Sequence, residues 1–149
     1  MSENLKENVE KFLRLGSMML PNLIGKRYDI SEQGDKAVLN FIPEDNVSFD
    51  DAVIQLEDDA EMYIMANCES KGVPSINYAV GYSKPEPGFY NCINIVSDTS
   101  GKVASIVAKI YLSPEEMVSE LLEDREFCES KYSTSCLKSE ESIINTFQR

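Results

Sequence analysis

The stretch from Ser97 to Glu116, "SDTSGKVASIVAKIYLSPEE", decides how the rest of the chain is read. Ser100-Gly101-Lys102 after an apolar run invites comparison with a phosphate-binding loop. That loop requires G-x-x-x-x-G-K-[ST] between a strand and a helix. Here Val96 stands where the first glycine belongs, and Val103 follows the lysine where a magnesium-binding hydroxyl belongs. The residues after Lys102 alternate with a period of two. Ala104, Ile106, Ala108, Ile110 and Leu112 share one face, and Val103, Ser105, Val107, Lys109 and Tyr111 the other. That is a strand, so no helix N-terminus is available to hold phosphate. Asp98, Ser100 and Gly101 are turn formers, and the glycine supplies a positive φ. The stretch reads as the turn and second strand of a β-hairpin. Ser113-Pro114-Glu115-Glu116 is a capping box with proline at the first helical position. It opens a helix to about Ser130, with Met117, Val118, Leu121 and Leu122 as its apolar face.

Upstream, period-two segments continue back to Lys26. Tyr28 to Ile30 and Ala37 to Ile42 flank the turn "SEQGD", and Pro43 stops the second run. "EDNVSFDD" reads as a polar loop, "AVIQL" (Ala52 to Leu56) as a strand and "EDDA" as a turn. "EMYIMANC", "SINYAVGY" and "FYNCINIV" read as further strands, separated by "ESKGVP" and "SKPEPG". Short turns between strands indicate antiparallel hairpins. At the N-terminus, Leu5, Val9, Phe12 and Leu13 recur at helical spacing up to about Leu15. At the C-terminus, "KYSTSCLK" breaks the pattern, and Ser139 caps a short helix with Ile143, Ile144 and Phe147. The expectation is one α+β domain over 1–149: an N-terminal helix, then an antiparallel meander sheet of about six or seven strands. Two C-terminal helices pack with the N-terminal helix on one face of the sheet.

Acidic residues number 26 against 14 lysines and arginines, a net charge of −12. Such a polyanion cannot replace the counterions of nucleic acid or of an anionic membrane, but it steers a basic protein toward itself. There is no histidine, so Ser-His and Cys-His nucleophile pairs are excluded. Cys68, Cys92, Cys128 and Cys136 form no C-x-x-C pair, which removes the zinc-knuckle and thioredoxin patterns. Cys128 and Cys136 are close enough in sequence to pair, although thiols in a chain without an export signal stay reduced. The N-terminus lacks a signal-peptide apolar core, and no apolar run approaches membrane-spanning length. A cytoplasmic protein without cofactor or metal is expected. Asp45 to Asp51 lacks the glycine and the spaced glutamate of a calcium loop.

Two groups of residues are candidates for recognition. The carboxylates Asp50, Asp51, Asp58, Asp59, Glu123 and Asp124, with Tyr63 and Tyr90, are the expected partner-binding set. Asn67, Asn77, Asn91 and Asn94, with tyrosines at 63, 78, 82, 90 and 111, form either a polar-aromatic surface or ordinary cross-strand pairs. The function expected is a non-catalytic acidic module that binds and neutralises, inhibits or escorts a basic partner protein, with a homodimer through the first helix as an option. In size, charge and outline the chain is similar to toxin-neutralising immunity proteins, phage-encoded inhibitors and type III secretion chaperones. Against the last stands Glu69–Pro74, too short for the mid-sheet helix those chaperones carry. The alternatives are a small carboxylate- or metal-dependent enzyme and an acidic mimic of nucleic acid.

Overall fold

The Asp98 turn closes as a hairpin. Strand β5 (Phe89–Ser97) pairs antiparallel with β6 (Val103–Tyr111). The Asp98 carboxylate accepts from the Ser100 amide at 2.8 Å, the Ser100 hydroxyl at 2.7 Å and the Lys102 amide at 3.0 Å. These bonds, Ser100's first, hold the Asp98 carboxyl below its ordinary pKa. Gly101 takes the left-handed φ of 88° that the turn requires. The computed structural model describes residues 3–19, 27–43, 47–70, 73–86, 88–131 and 133–135.

In chain order the remaining elements are α1 (Glu3–Met19), β1 (Tyr28–Gln33), β2 (Lys36–Phe41), α2 (Phe49–Asp59), β3 (Met62–Ser70) and β4 (Val73–Glu86). After β6 come α3 (Pro114–Lys131) and β7 (Ser133–Ser135). The sheet has seven strands in the order β1-β2-β6-β5-β4-β3-β7, and every neighbour runs antiparallel. Strands β3 to β6 form a continuous meander. The β1–β2 hairpin joins it on the β6 side, so the chain must cross back from β2 to reach β3.

Helix α2 makes that crossing, and it corrects the expected loop and "AVIQL" strand. Five residues are too few to separate periods of two and 3.6. The spacing that wins is helical: Phe49, Ala52, Val53 and Leu56 are buried, and Ile54 and Glu57 on the outer side are exposed. Ser48 caps the helix, accepting from the Asp51 amide at 3.4 Å. The preceding backbone is tied to the hairpin turn through Phe49 N–Gly101 O at 2.9 Å and Val103 N–Val47 O at 2.8 Å. A helix therefore does lie mid-chain, between β2 and β3.

The helices do not share one face, contrary to expectation. Alternate residues of a strand point to opposite sides of a sheet. Leu39, Phe41, Ile93, Ile95, Ile106, Ala108 and Ile110 form one buried cluster with Leu5, Val9 and Phe12 of α1 and the apolar residues of α2. Ile64, Ala66, Val80, Tyr82, Cys92 and Tyr111 form a second, with Met117, Val118, Leu121 and Cys128 of α3. Strands β3 to β6 are apolar on both sides, so both sides need covering. Helices α1 and α2 cover the first face and α3 the opposite one. Full burial of side chains such as Phe12, Ile95 and Leu121 contributes about 1.5–3 kcal/mol each.

Three boundaries also move. The expected loop after Tyr82 continues as strand to Glu86 through a register shift. The segment read as breaking the pattern supplies β7, which pairs Ser133–Ser135 with Asn67–Met65 of β3. Helix α1 runs to Met19 rather than Leu15. The helix expected after Ser139, and with it Cys136, lies outside the described residues.

Candidate functional site

The densest polar chemistry among the described residues lies between α3 and the sheet. Glu116, Glu120 and Asp124 are spaced by four, so they stand in one row along the helix. The row faces donors from three strands. Glu120 Oε1 accepts from Lys36 Nζ, and its Oε2 accepts from the Tyr111 hydroxyl and lies 3.5 Å from Lys109 Nζ. Lys36 also reaches Glu116 at 3.9 Å. Asp124 accepts from the Tyr82 hydroxyl at 2.5 Å, and Cys92 Sγ lies 3.4 Å from the Tyr111 oxygen.

The electrostatics follow from this geometry. Burial alone would raise the Glu120 pKa, but the Lys36 and Tyr111 hydrogen bonds and the Lys109 charge outweigh it and hold the group low. Burial likewise works against the Lys36 cation, and the bond to Glu120 reverses the sign and raises its pKa. For Asp124 burial wins over the Tyr82 bond, so its pKa is raised. Two carboxylates one helical turn apart are thus pushed in opposite directions. Burial pushes the Cys92 thiol up to about 12 and lifts both Tyr111 and Tyr82. At neutral pH the thiol and the phenols stay protonated and act as hydrogen-bond donors rather than nucleophiles. The carboxylates spend their oxygens on sheet donors. What this arrangement does best is anchor α3.

The expected partner-binding residues divide between the two sides of the molecule. Asp50, Asp51 and Asp58 stand exposed on α2, over the first face. Asp59 closes that helix, and its side chain lies outside the described set. Glu123 is exposed on α3 over the opposite face, and its neighbour Asp124 is half-buried against Tyr82. Tyr63 and Tyr90 are both half-buried, Tyr90 packed against the second cluster. The structure gathers the α2 carboxylates around Ile54, which is 60% exposed between Asp50, Asp51, Glu57 and Asp58.

The asparagine and tyrosine set also divides. Asn67 donates to Asn77 at 2.9 Å across β3 and β4, and Tyr78 donates to Asn94 at 3.3 Å on the opposite face. Tyr82 and Tyr111 are buried beneath α3. Asn91 is fully buried on the first face, and among the described residues neither end of its amide has a hydrogen-bonding partner. Cross-strand pairing and helix anchoring therefore account for most of the set. Sequence reasoning missed Lys36, Cys92 and Glu120 as a group. The four-residue spacing of Glu116, Glu120 and Asp124 was the one signal available for them.

Among the described residues no group of three histidine, cysteine or acidic side chains is placed to hold a metal ion, and no helix is long and apolar enough to cross a membrane. Comparison with protein-family models, with curated proteins and with solved structures finds no match to this chain.

Proposed function

We propose that this chain is a non-catalytic, acidic protein-interaction module that binds a basic partner protein and thereby neutralises, inhibits or escorts it. The observation that carries this reading is the outer face of α2. An isoleucine stands 60% exposed in a helical row with Asp50 and Asp58, flanked by Asp51 and Glu57. The isoleucine offers apolar area that a partner can desolvate. The carboxylates supply the long-range attraction that steers lysines and arginines to it. A net charge of −12 extends the same field over the whole molecule and works against nucleic acid and anionic lipid as partners. The protonated state of Cys92, Tyr82 and Tyr111 supports a structural role for the groups beneath α3.

The test is affinity capture from the native host at low and high salt, using the wild-type chain and the triple variant Ile54→Lys, Glu57→Lys, Asp58→Lys. The three positions are exposed, so each substitution changes stability by no more than about 0.5 kcal/mol and the variant keeps its fold. A single basic protein, retained at low salt, lost at high salt and absent with the variant, is the expected result. A partner held equally by the variant refutes the α2 surface. No partner, together with a thermal shift on adding magnesium, refutes the module reading in favour of a metal-dependent enzyme.

A further inference from the structure

The two edges of the sheet are treated differently by the chain. At the β3 edge, β7 pairs with Met65 to Asn67 and occupies the open backbone there. At the other edge β1 pairs only with β2 among the described residues, and all six of its residues are exposed. An uncovered edge strand presents unpaired N–H and C=O groups, a template for another strand. Its register with β2 assigns its side chains to faces. Tyr28, Ile30 and Glu32 lie opposite Phe41, Leu39 and Ala37, hence on the first face; Asp29, Ser31 and Gln33 lie on the other. Tyr28 is 40% exposed and Ile30 44%, so the edge displays an apolar pair on one face. That pair continues the core, because the Tyr28 ring lies 5.5 Å from Phe41.

We propose that the β1 edge binds an extended, basic segment of a partner protein by strand addition. The segment alternates apolar residues, which lie beside Tyr28 and Ile30, with lysines or arginines beside Asp29. The choice of occupant rests on charge. Among the described residues Asp29 and Asp35 are exposed on β1 and its flank, with the cation Arg27 at its start, and the whole chain carries a net −12. A second copy of this chain brings the same carboxylates and another −12 of net charge, so like faces like. A basic strand pairs favourably with both. Main-chain bonds supply affinity in this mode and alternate side chains supply selectivity. This extends the reading of a basic partner to a second surface, separate from α2, and separate variants keep the two apart.

The test uses eight-residue peptides with the folded full-length chain. One alternates valine and lysine, one has the same composition in blocks, and two alternating versions carry N-methyl groups on the amides of one edge or of the other. Binding is read by amide chemical shifts and hydrogen exchange. The expected result is salt-sensitive binding of the alternating peptide with slowed exchange at amides of 28–33. Methylating one edge weakens binding by about ten-fold or more and methylating the other leaves it within about two-fold, because only one edge forms the backbone bonds. The Asp29→Lys, Ile30→Lys variant loses binding while its thermal unfolding stays cooperative, and the α2 triple variant keeps it. Equal binding of the blocked peptide, insensitivity to N-methylation or no binding at millimolar peptide overturns the proposal. So does a concentration-dependent dimer with protected β1 amides and no peptide, which assigns the edge to a second copy. Loss of peptide binding in the α2 variant alone overturns the β1 assignment and leaves the α2 reading intact.

Discussion

Replacing Glu120 with glutamine tests whether α3 is held by charge as well as by apolar packing. The substitution keeps the shape and one acceptor for Tyr111, and it removes the anion that Lys36 and Lys109 face. The side chains of Lys36 and Glu120 are 16% and 20% exposed, so the pair is neither a solvated surface bridge nor a dry one. Exposed pairs contribute about 0–1 kcal/mol, and removing one partner of a buried pair costs about 3–5 kcal/mol. The intermediate setting gives an expected loss of about 2–3 kcal/mol at pH 7. For a chain of 149 residues that is a fall of roughly 5–10 °C in thermal midpoint. Urea denaturation at a series of pH values is the assay. The folded pKa of Glu120 is depressed, so its contribution is fully present above the unfolded value of 4.5 and disappears as pH falls through the folded value. The wild-type and Glu120→Gln curves therefore converge in acid. Asp124 has the opposite sign: its raised pKa gives a contribution that is present in acid and lost as pH rises through the folded value. After burial, the Glu120 charge is among the causes of that rise, so the substitution relieves Asp124 and offsets part of the loss at pH 7. Lys36, raised above 10.5, adds stability below that value which is lost as pH rises through its folded pKa. A cycle with Lys36→Met gives a coupling of about 1–2 kcal/mol. A loss under about 0.5 kcal/mol, or a difference unchanged from pH 3 to pH 7, refutes the reasoning.

Two further substitutions probe the first face. Asn91→Leu exchanges a buried, unpartnered amide for an apolar group of similar size and raises stability by roughly 1–3 kcal/mol in urea denaturation; a loss of stability means the amide is used. Gly81→Ala places a Cβ 2.6 Å from Leu56 Cδ1 and 2.8 Å from Ala60 Cβ, and costs about 1–3 kcal/mol. Combined with Leu56→Ala, which is itself costly because Leu56 is buried, the loss is smaller than the sum of the two single losses, and a Gly81→Ala variant as stable as the wild type refutes the close docking of α2 on β4.

The features legible in the residues alone are local. The Ser97–Lys102 turn, the alternation of β6 and the capped start of α3 are decided by neighbours within a few residues. Turn chemistry, a period of two over nine residues and a capping box each act at that range. Helix α2 was nearly legible: Ser48 followed by Asp51 is a capping signal, and Phe49, Ala52, Val53 and Leu56 keep helical spacing. The short alternation of "AVIQL" concealed it. The side on which α3 packs is settled by the packed fold, because Val80 and Ala79, or Cys92 and Ile93, are equally apolar neighbours that point to opposite faces. The same holds for the polar row beneath α3. Lys36 and Glu120 are 84 positions apart, and one carboxylate among the 26 acidic residues looks like another until the fold desolvates it beside a lysine. Asp58 stays in water, and Glu120 is enclosed. Burial and partners separate them, and both are properties of the packed sheet.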